Sequence, residues 1–180
     1  PISYPLGVMK EHLHTRAAAG LFDVSHMGQA KLSGPGAIAA LEKLVPGDLA
    51  GLAAGRMRYT QLTDAQGGIL DDLMVTCDPS GAEDSLILVV NAGCKDDDFA
   101  HIAANLPAGV TLDPYGEYGL IALQGPKAAE VLARHAGQGV LTQPFMSMAA
   151  FPVAGIACVV SRSGYTGEDG YEISVAPAHA

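Results

Sequence analysis

The sequence predicts an α+β protein built mainly from antiparallel sheets with flanking helices. Several short segments alternate between apolar and polar residues and are separated by turns rich in Gly and Pro, which is typical of antiparallel strands. Two segments with helical spacing of apolar residues each follow a Gly-Pro pair. Apolar residues make up 49% of the 180 residues, which is enough to form a sizeable core.

The first part of the chain is predicted to form a helix, an extended segment and a second helix. Met9–Ala19 has a helical composition and ends at Gly20. Leu21–Gln29 is predicted to be a strand or extended segment, Gln29–Leu32 alternates like a strand, and Ser33–Gly36 forms a turn. Apolar residues from Ala37 to Leu44 then recur at helical spacing.

The middle of the chain is rich in predicted strands. Arg58–Thr63 and Ile69–Cys77 alternate on either side of a turn at Asp64–Gly68, which predicts a β-hairpin. Ser85–Asn91 has the composition of a buried strand, and Asp96–Leu106 returns to helical spacing.

The last part of the chain contains a pattern that occurs earlier. Leu120–Gln124 is followed by Gly125-Pro126 and a helical segment, as the first strand is followed by Gly34-Pro35, and in both places an Ala and a Leu follow the Pro at the same spacing. Helix-start preferences and internal duplication both account for this weak repeat. Pro152–Arg162 and Tyr171–Val175 predict strands around an intervening loop.

Charge and cysteine content exclude several classes of function. The net charge is −9, and Lys and Arg are not clustered, whereas nucleic acids and anionic membranes require a basic surface. No apolar run approaches the roughly 20 residues of a transmembrane helix, and no signal peptide is visible. The three cysteines are widely spaced, which indicates a reducing compartment and no metal site. We therefore expect neither nucleic acid nor membrane as a partner.

Two Gly-rich acidic segments are the strongest candidates for a ligand site. Gly67–Leu73 places Asp71 and Asp72 at the start of a strand, where adjacent side chains point to opposite faces, so that one can line a pocket. The ten residues 163–172 combine three Gly, two Tyr and three acids, which suit a flat heteroaromatic ligand. Both segments are also compatible with ordinary exposed turns, and His26 with a structural role.

Six stretches, in this order and spacing, resemble the aminomethyltransferase (T-protein) of the glycine cleavage system. The resemblance covers the chain from Pro1 to about Val175. The stretches are HLHTR at 12–16, LFDVSHM at 21–27, GGILDDL at 67–73, VVNAGC at 89–94, ALQGP at 122–126 and SGYTGEDGYEISV at 163–175.

This resemblance implies a folate-binding fold of three domains, of which the chain supplies the first two. Domain 1 is expected to be discontinuous, with residues 1–30 and 125–180, and domain 2 to span residues 31–124. The family is roughly twice as long as this chain and takes further folate contacts, including an Arg, from its third domain. The resemblance therefore implies an N-terminal portion with weak or no activity by itself.

The resemblance also implies an activity and a set of site residues. The enzyme transfers the methylene carbon from the aminomethyl-lipoyl arm of H-protein to tetrahydrofolate and releases ammonia; it uses no metal. Asp71 matches the family's essential acid, which would act on the folate N10 proton. The residues expected to contact folate are Tyr165 and Glu172 at the pterin, Val89 and Asn91 on a lining strand, Met27 in an apolar wall, and Tyr59.

Two related classes remain as alternatives from the sequence. One is a non-catalytic folate-binding relative linked to iron–sulfur protein maturation, which would not be expected to keep GGILDDL and LFDVSHM together. The other is the folate domain of a dimethylglycine or sarcosine dehydrogenase, which would require a flavin domain upstream. The expected location is the cytoplasm, or the mitochondrial matrix in a eukaryote.

Overall fold

Residues 3–180 are described by a computed structural model of the chain, and their strands form two five-stranded sheets. The elements follow in the order α1 (Val8–Ala17), β1 (Gly20–Asp23), β2 (Gly28–Ser33), α2 (Ala37–Leu41), β3 (Met57–Thr63), β4 (Ile69–Cys77), β5 (Ser85–Val90), α3 (Lys95–Ala104), β6 (Thr111–Pro114), β7 (Gly119–Gln124), α4 (Ala128–Ala136), β8 (Ser147–Val153), β9 (Ile156–Arg162) and β10 (Gly170–Val175).

The chain divides into two units that each contain one sheet. The first unit takes Pro1–Val24 and Gly119–Ala180, and the second takes Ser25–Tyr118. The predicted domain boundaries, after residues 30 and 124, lie further along the chain. The units change earlier because all of β2 pairs with β5 and β6, whereas β7 pairs with β1 and β10. Residues 1 and 2, the start of predicted domain 1, lie outside the described residues.

The sheet of the first unit has the antiparallel order β1-β7-β10-β9-β8. Alternate residues of its strands pack with α4 in an apolar core, because the strand period of two sends every second side chain to the same face. Tyr171 is fully buried in this core, and its hydroxyl donates to the carbonyl oxygen of Val140 at 3.0 Å.

The sheet of the second unit has the antiparallel order β3-β4-β5-β2-β6. Its core face carries Leu73, Leu88 and Val90, which pack with residues of α2 and α3. The intervening residues of the same strands therefore lie on the opposite face. Tyr59, Met74 and Val89 are register partners across β3, β4 and β5, and they form one row on this second face.

The predicted fold class is confirmed, and three local expectations require correction. The extended segment 21–32 is divided between β1 and β2, which lie in different sheets because the chain turns at residues 24–27. The strand predicted over 152–162 is β9 joined to the end of β8. Ala154 and Gly155 both have positive φ, 51° and 83°, and they form a tight hairpin turn. An Ala-Gly pair does not predict such a turn, because Asn-Gly and Asp-Gly are the pairs typical of it. The short edge strand β6 was not predicted.

The two Gly-Pro segments have similar backbone geometry. Gly34 and Gly125 have φ values of 121° and 129°, and their carbonyls accept from Ala37 N at 3.0 Å and Ala128 N at 2.9 Å. A Cβ at either glycine would lie within 2.6 Å of a backbone oxygen, so neither position accommodates a side chain. Among the residues that the structure describes, no helix has the length and apolar character needed to cross a membrane.

Candidate functional site

The β3–β4 hairpin carries the first cluster of predicted site residues. Its turn is held by Asp64, whose Oδ1 accepts from the backbone N–H groups of Gln66 at 2.9 Å and Gly68 at 2.7 Å. The pairing then shifts register between Leu62 and Thr63, where Thr63 pairs with Ile69 and Leu62 with Asp71. Such a bulge bends a strand and redirects the neighbouring side chains. The shift therefore sits directly beside Asp71.

Asn91, which directly follows β5, forms hydrogen bonds with both adjacent carboxylates of β4. Strand alternation assigns Asp72 to the face of Met74 and Asp71 to the face of Leu73. The Asn91 side-chain nitrogen nevertheless donates to Asp71 Oδ1 at 3.0 Å and to Asp72 Oδ1 at 2.9 Å. One amide group thus fixes the orientation of both acids.

Tyr59 is bonded to the second acid of the pair. Its hydroxyl donates to Asp72 Oδ2 at 2.8 Å, and this hydrogen bond is the main reason that the pKa of Tyr59 is raised above its ordinary value. The Tyr59 side chain is 54% exposed despite this bond. Its ring is therefore available to a ligand on the face that also carries Met74 and Val89.

Asp71 is held in its ionised form by its neighbours. Burial favours the neutral acid, but hydrogen bonds from the backbone of Asp72 and from the side chains of Asn91, Asp98 and Cys94 outweigh burial and lower the Asp71 pKa. The charge of Asp71 is in turn the main cause of the raised Cys94 pKa. The result is a carboxylate that stays charged although it is partly withdrawn from water.

Met27 and Val89 lie at the same sheet as this hairpin. Val89 is buried in β5 and points away from the core of the unit. Met27 is partly buried and immediately precedes β2. In the turn before it, the carbonyl of His26 accepts from the Lys95 ammonium at 3.2 Å, which gives His26 a structural contact through its backbone.

The second cluster of predicted residues lies in the loop between β9 and β10. Gln124, which is fully buried at the end of β7, organises this loop. Its Oε1 accepts from the Tyr165 backbone N–H at 3.2 Å, and its Nε2 donates to the Tyr171 carbonyl at 3.4 Å. Gly170 must lack a side chain, since its Cβ would stand 2.3 Å from Gln124 Oε1.

Two arginines hold the loop from either side. Arg162 donates to both oxygens of Asp169, at 3.0 and 2.7 Å, and to the carbonyl of Gln143 at 2.7 Å. Arg16 donates to the Thr166 carbonyl at 2.7 Å and forms an ion pair with Glu168 at 3.1 Å. Planar two-oxygen contacts of this kind fix orientation as well as position. These contacts with Arg162 and Arg16 therefore position the loop.

Tyr165 and Glu172 lie close to each other within the first unit. Burial raises the pKa of Tyr165, and the charge of Glu172 raises it further, which shows that the two side chains interact. The Tyr165 side chain is 58% exposed, whereas Glu172 is mostly buried and its Oε2 accepts from the Ser163 hydroxyl at 3.2 Å. Burial also raises the pKa of Glu172, against the effect of Ser163 and Ser161.

The structure groups the predicted residues into one cluster per unit. Asp71, Tyr59 and Asn91 share the hydrogen bonds of the second unit, with Val89 and Met27 at the same sheet, and Tyr165 and Glu172 share the first unit. Sequence reasoning missed Asp98, Cys94 and Gln124. A signal existed for Asp98, because it lies one helical turn before the buried Ile102 on the same face of α3.

The cluster of Tyr165 and Glu172 suits an aromatic ligand that carries N–H donors. Within residues 3–180, no group of three or more His, Cys, Asp or Glu side chains is arranged to hold a metal ion. An exposed tyrosine ring beside a largely buried carboxylate offers a stacking face and an acceptor for a pair of N–H groups.

Comparisons with known proteins agree on one family. The family model described as the GCVT N-terminal domain matches residues 1–180. The mitochondrial aminomethyltransferase of Dictyostelium discoideum is 44% identical over 184 residues, which cover 97% of this chain and 45% of that protein. The aminomethyltransferase of Synechococcus elongatus is 41% identical, with 97% and 47% covered. The chain therefore spans about half the length of the curated relatives it matches.

Solved structures give the same picture of the fold. The glycine cleavage system aminomethyltransferase T from Bartonella henselae superposes with a TM-score of 0.87 at 44% identity, over 100% of this chain and 48% of that one. The heterotetrameric sarcosine oxidase from Corynebacterium sp. U-96 superposes with a TM-score of 0.62 at 17% identity. This second likeness extends to the fold alone.

Proposed function

The chain belongs to the GCVT N-terminal domain family, and from this premise we propose that the protein containing it is the aminomethyltransferase of the glycine cleavage system. The proposed reaction moves the methylene carbon of an aminomethyl group, carried by the lipoyl arm of H-protein, to tetrahydrofolate. The amino group leaves as ammonia and the lipoyl arm leaves in its reduced form, and these two leaving groups take up the N5 and N10 protons of the folate. The protein partner is lipoylated H-protein, and no metal takes part. The setting is the bacterial cytoplasm or the mitochondrial matrix; mitochondrial relatives and a Synechococcus relative both match.

The observation that carries this proposal is the state of Asp71. Its carboxylate lies at the start of β4 beside a bulge, is oriented by Asn91 at 3.0 Å, and has a pKa below its ordinary value despite partial burial. A carboxylate that remains charged in such a place can accept a hydrogen bond from a substrate N–H group and stabilise a positive charge.

Asp71 is the proposed catalytic residue. When bound, tetrahydrofolate supplies two nitrogens, N5 and N10, that end up joined by the transferred carbon. Asp71 accepts a hydrogen bond from the N10 proton, which makes N10 a better nucleophile, and it stabilises the positive charge of the reacting amine. The protein forms no covalent bond to the carbon, so no nucleophilic side chain is needed.

Tyr59, Asn91, Val89 and Met27 are proposed folate contacts of the second unit. Asn91 orients Asp71, and Tyr59 presents an exposed ring on the face that carries Val89. Val89 and Met27 supply apolar surface. These roles are supported by the shared hydrogen bonds and by the single row of side chains across β3, β4 and β5.

Tyr165 and Glu172 are proposed contacts of the pterin ring in the first unit. A pterin presents N3–H and a 2-amino group side by side, and one carboxylate can accept from both, as it does from a guanidinium group. Glu172 is suited to this because its position is fixed by Ser163 and by the loop contacts of Arg162. The exposed ring of Tyr165 provides a flat surface beside it.

The direct test of the proposed function is a turnover assay with the complete protein that contains this chain. Aminomethylated H-protein and tetrahydrofolate are mixed with the enzyme, and ammonia and 5,10-methylenetetrahydrofolate are measured. We expect both products in equal amounts, and a strict requirement for the lipoyl group on H-protein. Folate binding without either product would instead support a non-catalytic folate-binding protein.

A further inference from the structure

The carboxyl group of Asp98 lies against that of Asp71, from a different element of the second unit. Asp98 is in the first turn of α3, and its residue is only 4% exposed. The carboxyl groups of Asp71 and Asp98 are hydrogen-bond partners, and this contact acts on the pKa of both acids. Asp98 on α3 and Asn91 after β5 thus both contact the proposed catalytic acid, and Asn91 donates to its Oδ1.

Both carboxyl groups contain a buried oxygen with no donor. Among the described residues, neither Asp71 Oδ2 nor Asp98 Oδ2 receives a hydrogen bond from an N–H or hydroxyl group. Two ionised carboxylates could not satisfy each other, because both are acceptors only. A buried acceptor without a donor is costly, and two of them in contact are more so. A proton on either carboxyl group makes that group a hydrogen-bond donor to the other, so that both buried oxygens take part in a hydrogen bond.

The surroundings decide which group carries that proton. Asp71 receives hydrogen bonds from Asn91, Cys94 and the backbone, all of which favour its charged form. Burial has the largest effect on Asp98, and the charges with the next largest effects are negative: Asp71 and Asp72 on β4, and Asp97 on its own helix. These effects raise the pKa of Asp98 to about 7.

We propose that Asp98 is a positioning residue, whose protonated carboxyl group donates a hydrogen bond to the Asp71 carboxylate and fixes its orientation. Asn91 on one oxygen and Asp98 on the other then hold the acid in a single rotamer. The ionisation of Asp98 replaces this hydrogen bond by repulsion between two carboxylates. The inference rests on the proposed function in so far as Asp71 is the residue that acts on folate.

The first test compares two substitutions in the complete protein. Asp98→Ala removes the donor, and we expect kcat to fall by about tenfold to a hundredfold with little change in KM for tetrahydrofolate. Asp98→Asn keeps an N–H donor at nearly the same place, so kcat at pH 7 should stay within about threefold of the wild type. The wild type should also lose turnover as the pH rises above about 7, and Asp98→Asn should not.

A control on the same helix separates this effect from helix stability. Asp96 is an exposed acid in the same first turn of α3, and Asp96→Ala should leave kcat and the pH profile unchanged. The proposal is overturned if Asp98→Ala turns over like the wild type. It is equally overturned if Asp98→Asn is as impaired as Asp98→Ala while both proteins are folded.

A second measurement does not depend on activity. The carboxyl carbon of Asp98, observed by NMR in the wild-type protein labelled with ¹³C-aspartate, should titrate near pH 7, and its midpoint should fall in Asp71→Asn. A midpoint near the ordinary value of about 4 contradicts the shared proton. If the protein lacks aminomethyl transfer but Asp98 titrates as expected, the proposed function fails and the proton-sharing pair stands.

Discussion

Glu172 offers a prediction in which ligand affinity and stability change in different directions. The carboxylate is largely buried, and its pKa is raised by that burial although hydrogen bonds from Ser163 and Ser161 oppose the rise. The Ser163 hydroxyl donates to its Oε2 at a rather long 3.2 Å. If it accepts two hydrogen bonds from a pterin edge, each worth about 1.5 kcal/mol, their loss amounts to about 3 kcal/mol. Since about 1.4 kcal/mol corresponds to a tenfold change, Glu172→Ala should weaken tetrahydrofolate binding about a hundredfold.

Glu172→Gln sharpens the test because it changes charge with little change in shape. The amide would direct an N–H group toward the N–H groups of the pterin, so affinity should fall by at least about tenfold. The raised pKa means that the folded state holds the proton more tightly than the unfolded state. Ionised Glu172 therefore costs stability above its folded pKa, and this cost disappears as the pH falls. At neutral pH, Glu172→Gln should consequently melt at the same temperature as the wild type or higher.

The assay is isothermal titration calorimetry with tetrahydrofolate on the complete protein, paired with a thermal melt of each variant. Glu130→Gln, which makes the same chemical change on the exposed side of α4, is the control and should alter neither quantity. Unchanged affinity in Glu172→Ala would refute the pterin contact. A loss of affinity that accompanies a large drop in melting temperature in Glu172→Gln would refute the reasoning on burial.

Two further predictions concern stability. Gly28→Ala should lower the free energy of unfolding by about 1–3 kcal/mol in chemical denaturation, because its Cβ would stand 2.6 Å from Val90 Cγ2 and 2.8 Å from Lys95 Cβ. Gly93→Ala is the matched control, since nothing lies within 4 Å of its Cβ. Equal stability of the two variants would contradict the packing at Gly28. Asp78 is buried against Lys31 at 2.9 Å and accepts from Ser80 and Ser85, and although burial opposes its charge these partners lower its pKa. Its stabilisation is therefore present above the unfolded pKa of about 4 and lost as the pH falls below it; Asp78→Asn should cost about 1–3 kcal/mol at pH 7 and flatten the acid limb of the stability curve, and an unchanged acid limb would contradict this assignment.

The strands and helices that the sequence predicted best are those with a clear period. The β3–β4 hairpin combines alternation with a Gly-Gly turn, and its strands run over Met57–Thr63 and Ile69–Cys77, within a residue of the prediction. The segment 21–32 could not be divided in the same way. Its apolar pattern does not show that the chain turns at residues 24–27 and enters a second sheet, since sheet membership depends on partners far along the chain.

The candidate site residues that the sequence predicts are those that lie close together along the chain. Asp71-Asp72 and the Tyr165–Glu172 segment are local patterns, and each was identified from its composition. Asp98 and Gln124 are contributed by other elements. The helical spacing of Asp98 and Ile102 marks the buried face of α3, but it does not show which strand that face meets. Asp98 is one of three acids in the first turn of α3, and its partnership with Asp71 depends on β4, which is distant in the sequence.

The central claim is that Asp71 acts in the transition state and contributes little to holding folate. Single-turnover kinetics of Asp71→Asn in the complete protein, measured together with the Kd for tetrahydrofolate, tests it most directly. The account predicts a loss of about 10²–10³ in the rate of methylene transfer with Kd changed by less than about threefold. Asp113→Asn, an exposed acid on β6, should match the wild type. Equal losses in rate and affinity, or wild-type turnover of Asp71→Asn, would contradict the claim.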